Sequence, residues 1–132
     1  MRLCLDANTY VALARGEPAL GDIVRQAGRV HLPFIALAEL RAGFRSGKKT
    51  SQNERNLQRF LGVERVSVLF ADEQTTHHYA SLFARLRAQG TPIPTNDLWI
   101  AALVLQHDLL LCSFDSHFNH LPQLPRVGPT NE

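Results

Sequence analysis

The first ten residues, MRLCLDANTY (residues 1–10), contain the pattern on which the fold depends. Three apolar residues lead directly to Asp6, and the polar pair Asn8 and Thr9 follows. An apolar run that ends in a carboxylate predicts a short buried strand, after which we expect Asn8 to cap a helix. Ligands of open α/β sheets bind at the carboxyl ends of strands, so Asp6 is a candidate site residue. An Asp in this position is also a common turn former, and a divalent ion needs further oxygen ligands.

The composition is typical of a globular protein, and the length fits one domain over residues 1–132. Hydrophobic residues make up 45% of the chain and charged residues 20%. The sequence lacks an apolar run long enough to span a membrane and a signal-peptide pattern, so we expect a cytoplasmic protein. The net charge is only +2, but if acids gather at one site the remaining surface is basic and suits a nucleic acid. Cys4 and Cys112 lie in apolar runs and are expected to be buried free thiols.

Strand-like and helical stretches alternate along the rest of the chain. Apolar residues at helical spacing predict further helices over Pro18–Ala27, from Pro33 to Ser46, behind a Ser51–Glu54 capping box, from Asp72 to Gly90, and over Asp97–His107 with Thr95 as its cap. Short apolar runs predict strands at Val30–Leu32, within Val63–Phe70 and at Leu109–Cys112, with an edge strand near Arg126–Val127. This alternation predicts a three-layer α/β/α fold around a parallel sheet of four to five strands.

The helix predicted over residues 97–107 is apolar on all sides. Such a helix must be covered on more than one side, by the sheet and by something else. A second copy of the chain is one candidate, so we expect a homodimer.

Three further acids fall where they could join Asp6. Glu39 lies in a predicted helix beside small residues that leave its carboxylate room to project, Asp97 falls in the first turn of another helix, and Asp115 follows the last strand. If the first and last strands are neighbours, these acids converge in one crevice. Carboxylates suit Mg²⁺ or Mn²⁺, ions that promote displacement at phosphorus. Most helix glutamates are simply solvated, so Glu39 is a site residue only if its carboxylate lies close to the other acids.

No catalytic or metal-binding role is expected for the histidines His77, His78 and His117. His117 is expected to be a helix-turn residue rather than a catalytic base. His77 and His78 are adjacent on a predicted helix and point about 100° apart, so they cannot share one metal and are expected at the surface.

Four segments carry a resemblance to a known family: LCLDANTYV, ALAELRAGF, PTNDLWIAA and SFDSHFNHLP. In order and spacing they resemble the PIN-domain ribonucleases, and most of all the VapC-type toxins of bacterial toxin-antitoxin modules. The resemblance implies that RNA is cut by metal-activated water and that an antitoxin protein is the partner. It assigns Mg²⁺ or Mn²⁺ to Asp6, Glu39, Asp97 and Asp115. It gives a supporting role to Thr9 or Asn8.

Two details of the resemblance concern neighbouring residues. Many relatives carry a further acid where this chain has His117, so we expect one bound ion. The basic side chains that follow Glu39 are expected to contact the RNA backbone or to form an ordinary solvated face; they are Arg41, Arg45, Lys48 and Lys49.

Two alternatives remain open. The segment LCLDANT also resembles the D-x-D-x-T start of haloacid-dehalogenase-like phosphatases, which form an aspartyl-phosphate. Asn8 stands where their second acid should be, and the chain has lysines only at positions 48 and 49. The other alternative is a PIN-like protein that binds RNA or a partner without cutting.

Overall fold

The computed structural model describes residues 1–128, so the last four residues of the expected domain lie outside the described part. Strands and helices alternate as predicted. In chain order they are β1 (Arg2–Leu5), α1 (Ala7–Ala14), α2 (Pro18–Gln26), β2 (Arg29–Pro33), α3 (Phe34–Ser46), α4 (Thr50–Leu61), β3 (Val66–Leu69), α5 (Glu73–Gln89), α6 (Thr95–Gln106), β4 (Leu110–Cys112) and a 3-10 helix (Ser116–His120).

The four strands form a parallel sheet in the order β3-β2-β1-β4. The chain moves outward from β1 to β3 and then returns to place β4 on the other side of β1. The expected edge strand is a single parallel bridge between Leu111 and Arg126. The switch point therefore lies between β1 and β4, where Asp6 and Asp115 follow their strands.

Helices cover both faces of the sheet, which confirms the three-layer prediction. On one face, Leu3 and Leu5 of β1 pack in a core with residues of α2, α3 and α4. On the other face, Cys4 packs with residues of α5 and α6. The alternation along β1 follows from the period of two residues in a strand. Both cysteines are buried free thiols, and burial raises the pKa of Cys112 to about 11.

Helix α6 is buried within a single chain. Its middle residues, from Ile100 to Val104, are all almost fully buried, and α5 packs along it opposite the sheet. Helix α6 is therefore covered on more than one side, as predicted, but by α5 and not by the second copy of the chain on which the dimer expectation rested. No helix in residues 1–128 is long and apolar enough to cross a membrane.

The structure corrects several predicted helix starts. Asp6, not Asn8, caps α1, because its side chain accepts a hydrogen bond from the backbone N–H of Thr9. The residues before α4 and α6 are Lys49 and Pro94, and neither makes a side-chain cap. The Ser51–Glu54 capping box and the Thr95 cap were therefore wrong, since both helices begin one or two residues earlier. Pro33 belongs to the end of β2 and precedes α3.

Candidate metal and nucleic-acid site

A cavity of about 530 Å³ brings the four predicted acids together. It lies at the carboxyl ends of β1 and β4 and extends between α1, α3 and α4. Its acidic residues are Asp6, Glu39, Asp97 and Asp115. Its other side chains come from Ala7, Asn8, Tyr10, Val11, Ala14, Arg15, Leu40, Phe44, Asn53 and Asn56, with Gly43 also in the wall.

Asp6 is held by hydrogen bonds on both of its carboxylate oxygens. One oxygen accepts the backbone N–H of Thr9 at 3.0 Å, and the other accepts the hydroxyl of Ser113. Ser113 Oγ in turn accepts the backbone N–H of Asp115 at 3.0 Å. The hydroxyl therefore connects the ends of β1 and β4 and fixes the orientation of Asp6, which is only 6% exposed.

His117 joins two of the other acids. Its Nδ1 lies 2.8 Å from Oδ2 of Asp97 and 3.0 Å from Oδ1 of Asp115. The hydrogen bond to Asp97 raises the pKa of His117, with a further contribution from the charge of Asp115. The protonated imidazole can thus offset part of the negative charge. His117 does lie in the 3-10 helix, as expected of a helix-turn residue, but it also contacts the acidic cluster.

Two of the acids have raised pKa values. Burial raises the pKa of Glu39, and the charges of Asp97, Asp6 and Asp115 add to the effect against a hydrogen bond with Asn96. Burial also raises the pKa of Asp97, although its hydrogen bond to His117 opposes the shift. Both shifts express the cost of placing anions close together where the surrounding protein displaces part of their hydration, although the Glu39 side chain remains accessible to solvent.

Asn8 and Thr9, the predicted supporting residues, occupy different positions at the site. Asn8 is exposed and lines the cavity. Thr9 is fully buried, and its contribution to Asp6 is made by its backbone N–H. Within the described part of the chain its hydroxyl finds no hydrogen-bond partner, so this hydroxyl does not support Asp6 directly.

The donor set fits a hard divalent cation. Carboxylate oxygens are the ligands that Mg²⁺ and Mn²⁺ prefer, and four carboxylates line one cavity whose only lysine or arginine is Arg15. Ligand atoms of Asp97, Asp115 and His117 lie within 4.8 Å of one another. A bound cation would neutralise the negative charge that His117 and Arg15 leave uncompensated.

The predicted basic residues lie on α3 and in the loop that follows it. Arg45 lines a neighbouring groove together with Arg55 and Arg59. Arg41 lines this groove too, but its guanidinium makes two hydrogen bonds of 3.1 Å to Glu54. Its charge is therefore partly compensated. Lys48 and Lys49 are exposed in the loop between the two helices, outside the residues that line the groove.

Several residues around the site were missed from the sequence. Ser113 lies two residues before Asp115, a short-range signal that could have been noticed. Asn96 precedes Asp97 but acts on Glu39, and Asn53 and Asn56 reach the cavity from α4. These contacts depend on how α3, α4 and α6 pack together, which the sequence pattern does not define.

A fold of this kind, with acids gathered at the switch point, defines a class of protein. The chain belongs to the PIN-domain family, since residues 3–124 match the PIN domain. Within that family it is similar to the VapC proteins. It is 35% identical over 111 residues to Ribonuclease VapC1 of Haemophilus influenzae strain R2866, a match that covers 81% of each chain.

Solved structures of VapBC complexes share the fold. VapBC-1 from nontypeable Haemophilus influenzae aligns with a TM-score of 0.85 and 31% identity, covering 96% of this chain and 97% of that chain. VapBC2 from Rickettsia felis, bound to a DNA fragment from its promoter, aligns with a TM-score of 0.84 and 26% identity, covering 96% and 98%. The likeness therefore extends over nearly the whole length of both proteins.

Proposed function

We propose that the chain is a metal-dependent endoribonuclease and the toxin of a toxin-antitoxin pair. The observation that carries the proposal is the cavity in which Asp6, Glu39, Asp97 and Asp115 converge. The names of its relatives support it, because VapC1 of Haemophilus influenzae and VapC4 of Mycobacterium tuberculosis are both named as ribonucleases and VapBC is described as a family of toxin-antitoxin systems. RNA is the substrate, the cytoplasm is the expected location, and Mg²⁺ or Mn²⁺ is the cofactor.

The mechanism needs no protein nucleophile. Asp6, Glu39, Asp97 and Asp115 would hold the ion, and a bound ion would supply charge neutralisation at the phosphate and a more acidic water. Ser113 and the Thr9 N–H keep the Asp6 carboxylate oriented. His117 holds Asp97 and Asp115 against each other and lowers their mutual repulsion. Preorganised ligands of this kind reduce the reorganisation needed during the reaction.

The phosphatase alternative has little support in this geometry. An aspartyl-phosphate mechanism on Asp6 needs a lysine and a second acid close by. The only lysines, Lys48 and Lys49, are exposed and do not line the cavity. The carboxylate of Asp6 is also held on both oxygens, so it is placed as a fixed ligand rather than as a free nucleophile.

The test is cleavage of RNA by the purified protein with Mg²⁺, Mn²⁺ or chelator. We expect cleavage only with the ion, and Asp6→Asn should reduce the rate by more than about 100-fold, since even residues behind a metal ligand contribute about 10- to 100-fold. Circular dichroism should show an unchanged fold. Asp108→Asn is the matched control, because Asp108 is exposed away from the cavity and Asn tolerates its φ of 55°.

Two outcomes would contradict the ribonuclease proposal. Full cleavage by Asp6→Asn would show that the carboxylate of Asp6 is not needed for catalysis and would contradict the proposed site. The absence of cleavage by folded wild-type protein with every divalent ion tested would favour the PIN-like protein that binds RNA or a partner without cutting.

The toxin role has a separate test. Expression of the wild-type chain alone in bacteria should arrest growth, whereas Asp6→Asn should not, and coexpression of the protein encoded beside it should restore growth. Harmless accumulation of soluble, active wild-type protein would contradict the toxin role without affecting the ribonuclease proposal.

A further inference from the structure

The cavity has a second part that the acidic residues do not use. The acids come from the ends of β1 and β4, from α3 and from the first turn of α6. The lining side chains that α1 and α4 supply are mostly apolar groups and amides. Both α4 and α6 pack on α3, so the amides and Asp97 reach the same cavity from different helices.

Two asparagines on α4 provide the hydrogen-bonding groups of this second part. Asn53 and Asn56 are three residues apart and therefore lie on one face of the helix. Both are half-buried and line the cavity. The side-chain oxygen of Asn56 accepts a hydrogen bond of 3.1 Å from Gln52, which leaves its amide donors available, while no side-chain hydrogen bond of Asn53 occurs within residues 1–128.

The remaining lining is apolar and has space to spare. Tyr10 and Val11 of α1, together with Leu40 and Phe44 of α3, are the larger apolar side chains that line the cavity. Gly43 also lines the cavity, and a Cβ at that position would meet no atom within 4 Å. The cavity volume of about 530 Å³ is within the range of about 300–1,000 Å³ that accommodates small ligands.

These features match the chemistry of a nucleobase. A base has apolar faces that stack and a polar edge that pairs with carboxamides, and an unpaired base in RNA is recognised through both. A neutral base also suits a neutral wall, whereas the acids repel phosphate unless a cation intervenes. Arg15, exposed and the one guanidinium in the lining, is available for a neighbouring phosphate.

We propose that the part of the cavity between α1 and α4 binds the base of one unpaired nucleotide next to the scissile phosphate, and that Asn53 and Asn56 read its edge. This inference rests on the proposed ribonuclease function and adds a base preference to it. The two amides would thus determine specificity, while the acids carry the chemistry. Neither amide contributes to the acidic cluster.

The experiment compares cleavage rates on short RNAs that differ in a single base beside a cleavage site mapped with the wild-type protein. Asn53→Ala and Asn56→Ala should each reduce the discrimination between bases at one position by about 10-fold, since a good amide-to-base pair gives discrimination of about that size or more. Mn²⁺ binding, followed by titration calorimetry, should stay at the wild-type affinity. Gln58→Ala is the control, because this amide lies on the same helix but lines the neighbouring groove.

A steric variant tests the same part of the cavity independently. Gly43→Leu should fill the space beside Leu40 and slow cleavage of every RNA, whereas thermal stability should be equal or higher, because Gly is a poor residue inside a helix. A loss of activity without a loss of stability separates occlusion of the cavity from misfolding.

The outcomes distinguish this inference from the ribonuclease proposal. Wild-type base preference in both asparagine variants overturns the inference but leaves the nuclease intact. If the wild-type protein cleaves no RNA, the ribonuclease proposal fails. The base site is then judged by NMR, in which nucleoside monophosphates should shift the side-chain amide signals of Asn53 and Asn56. Unshifted signals overturn the inference. Asparagine variants that lose binding of the antitoxin but keep every base preference assign the amides to a protein ligand and also overturn it.

Discussion

At the scale of single residues, the position of Asp6 depends on a hydroxyl from the far end of the chain. Ser113 donates to Asp6 and also accepts the backbone N–H of Asp115. Without this hydroxyl the carboxylate keeps its bond to the Thr9 N–H but can rotate about it. Ser113 therefore acts as a positioning residue, because its hydrogen bond orients Asp6, a candidate metal ligand.

We predict that Ser113→Ala reduces RNA cleavage by about 10- to 100-fold, the usual effect of removing a partner behind a metal ligand. The affinity for Mn²⁺ should fall by a similar factor. Ser116→Ala, which removes an exposed hydroxyl from the neighbouring 3-10 helix, should leave both quantities unchanged. Wild-type rates and Mn²⁺ affinity in Ser113→Ala would show that the hydrogen bond has no part in positioning Asp6.

The ionised Glu39 side chain lowers the stability of the folded protein, as its raised pKa indicates. The pKa is raised by burial and by the charges of Asp97, Asp6 and Asp115. A carboxyl whose folded-state pKa lies above its unfolded value destabilises the folded protein at pH values above the folded pKa. The cost disappears as the pH falls below the unfolded value, where the group is protonated in both states. Neutral pH is therefore where the folded state bears the full cost.

We predict that Glu39→Gln raises the melting temperature of the metal-free protein at pH 7. The increase should be on the order of 2 °C, because Glu39 is exposed and solvent screens its charge. The difference should vanish below pH 4.5, the ordinary pKa of a glutamate. Added Mn²⁺ should stabilise the variant less than the wild-type protein, since a site with fewer ligands binds the ion more weakly. Equal melting temperatures in chelator at both pH values would contradict this account.

The sequence was sufficient to place some of these residues and not others. Asp6 and Asp115 directly follow apolar strands, and parallel strands that flank a switch point bring such positions together. His117 could not be assigned to Asp97 in the same way, because the pair is separated by 20 residues and meets only through the packing of α6 against the 3-10 helix.

At the scale of elements, the sequence predicted which stretches are helices better than it predicted where they begin. Asp72 does cap α5, and Gly90 ends it in the left-handed conformation with a φ of 73°, as the local pattern indicated. Glu54 was expected in a local cap but bonds Arg41 of the preceding helix instead. A local motif fails when a partner outside its own helix binds the same side chain more favourably.

The buried hydroxyl of Thr75 forms hydrogen bonds that connect α5 to α6. Thr75 accepts the backbone N–H of Asp72 at 2.9 Å and donates to the side chain of Gln106 at the end of α6. Gln106 also donates to Asp72 at 2.8 Å. These bonds join the start of one helix to the end of the other, beside the apolar core that both helices share.

We predict that Thr75→Val lowers the free energy of unfolding by about 1–2 kcal/mol, because the helix cap and the half-buried side chain of Gln106 each lose a partner. The midpoint of urea denaturation measures this. Thr76→Val is the matched control, since Thr76 is exposed and, within residues 1–128, its hydroxyl bonds only the carbonyl of Glu73 in its own helix. If the two variants unfold at the same urea concentration, the link between α5 and α6 contributes nothing to stability.

At the scale of the whole molecule, the homodimer remains a prediction but needs a new basis. The apolar surface of α6 is covered by α5, whereas other large apolar side chains are left in contact with water. Phe70, at the carboxyl end of β3, is 67% exposed and stacks on Phe34 with ring centroids 6.3 Å apart. Exposed apolar groups of this size favour association with another surface.

We predict that the wild-type protein is a dimer at micromolar concentration and that Phe70→Ser shifts it toward the monomer. Serine removes the apolar ring without adding a charge, and burying an aromatic side chain is worth roughly 1.5–3 kcal/mol, enough to weaken association by about 10- to 100-fold. Sedimentation velocity measures both states. Val63→Ser is the control, because Val63 is also exposed, at 45%, but precedes β3 and so lies near the opposite end of that strand from Phe70. A monomeric wild-type protein would refute the dimer, and a dimer unaffected by Phe70→Ser would place its interface elsewhere.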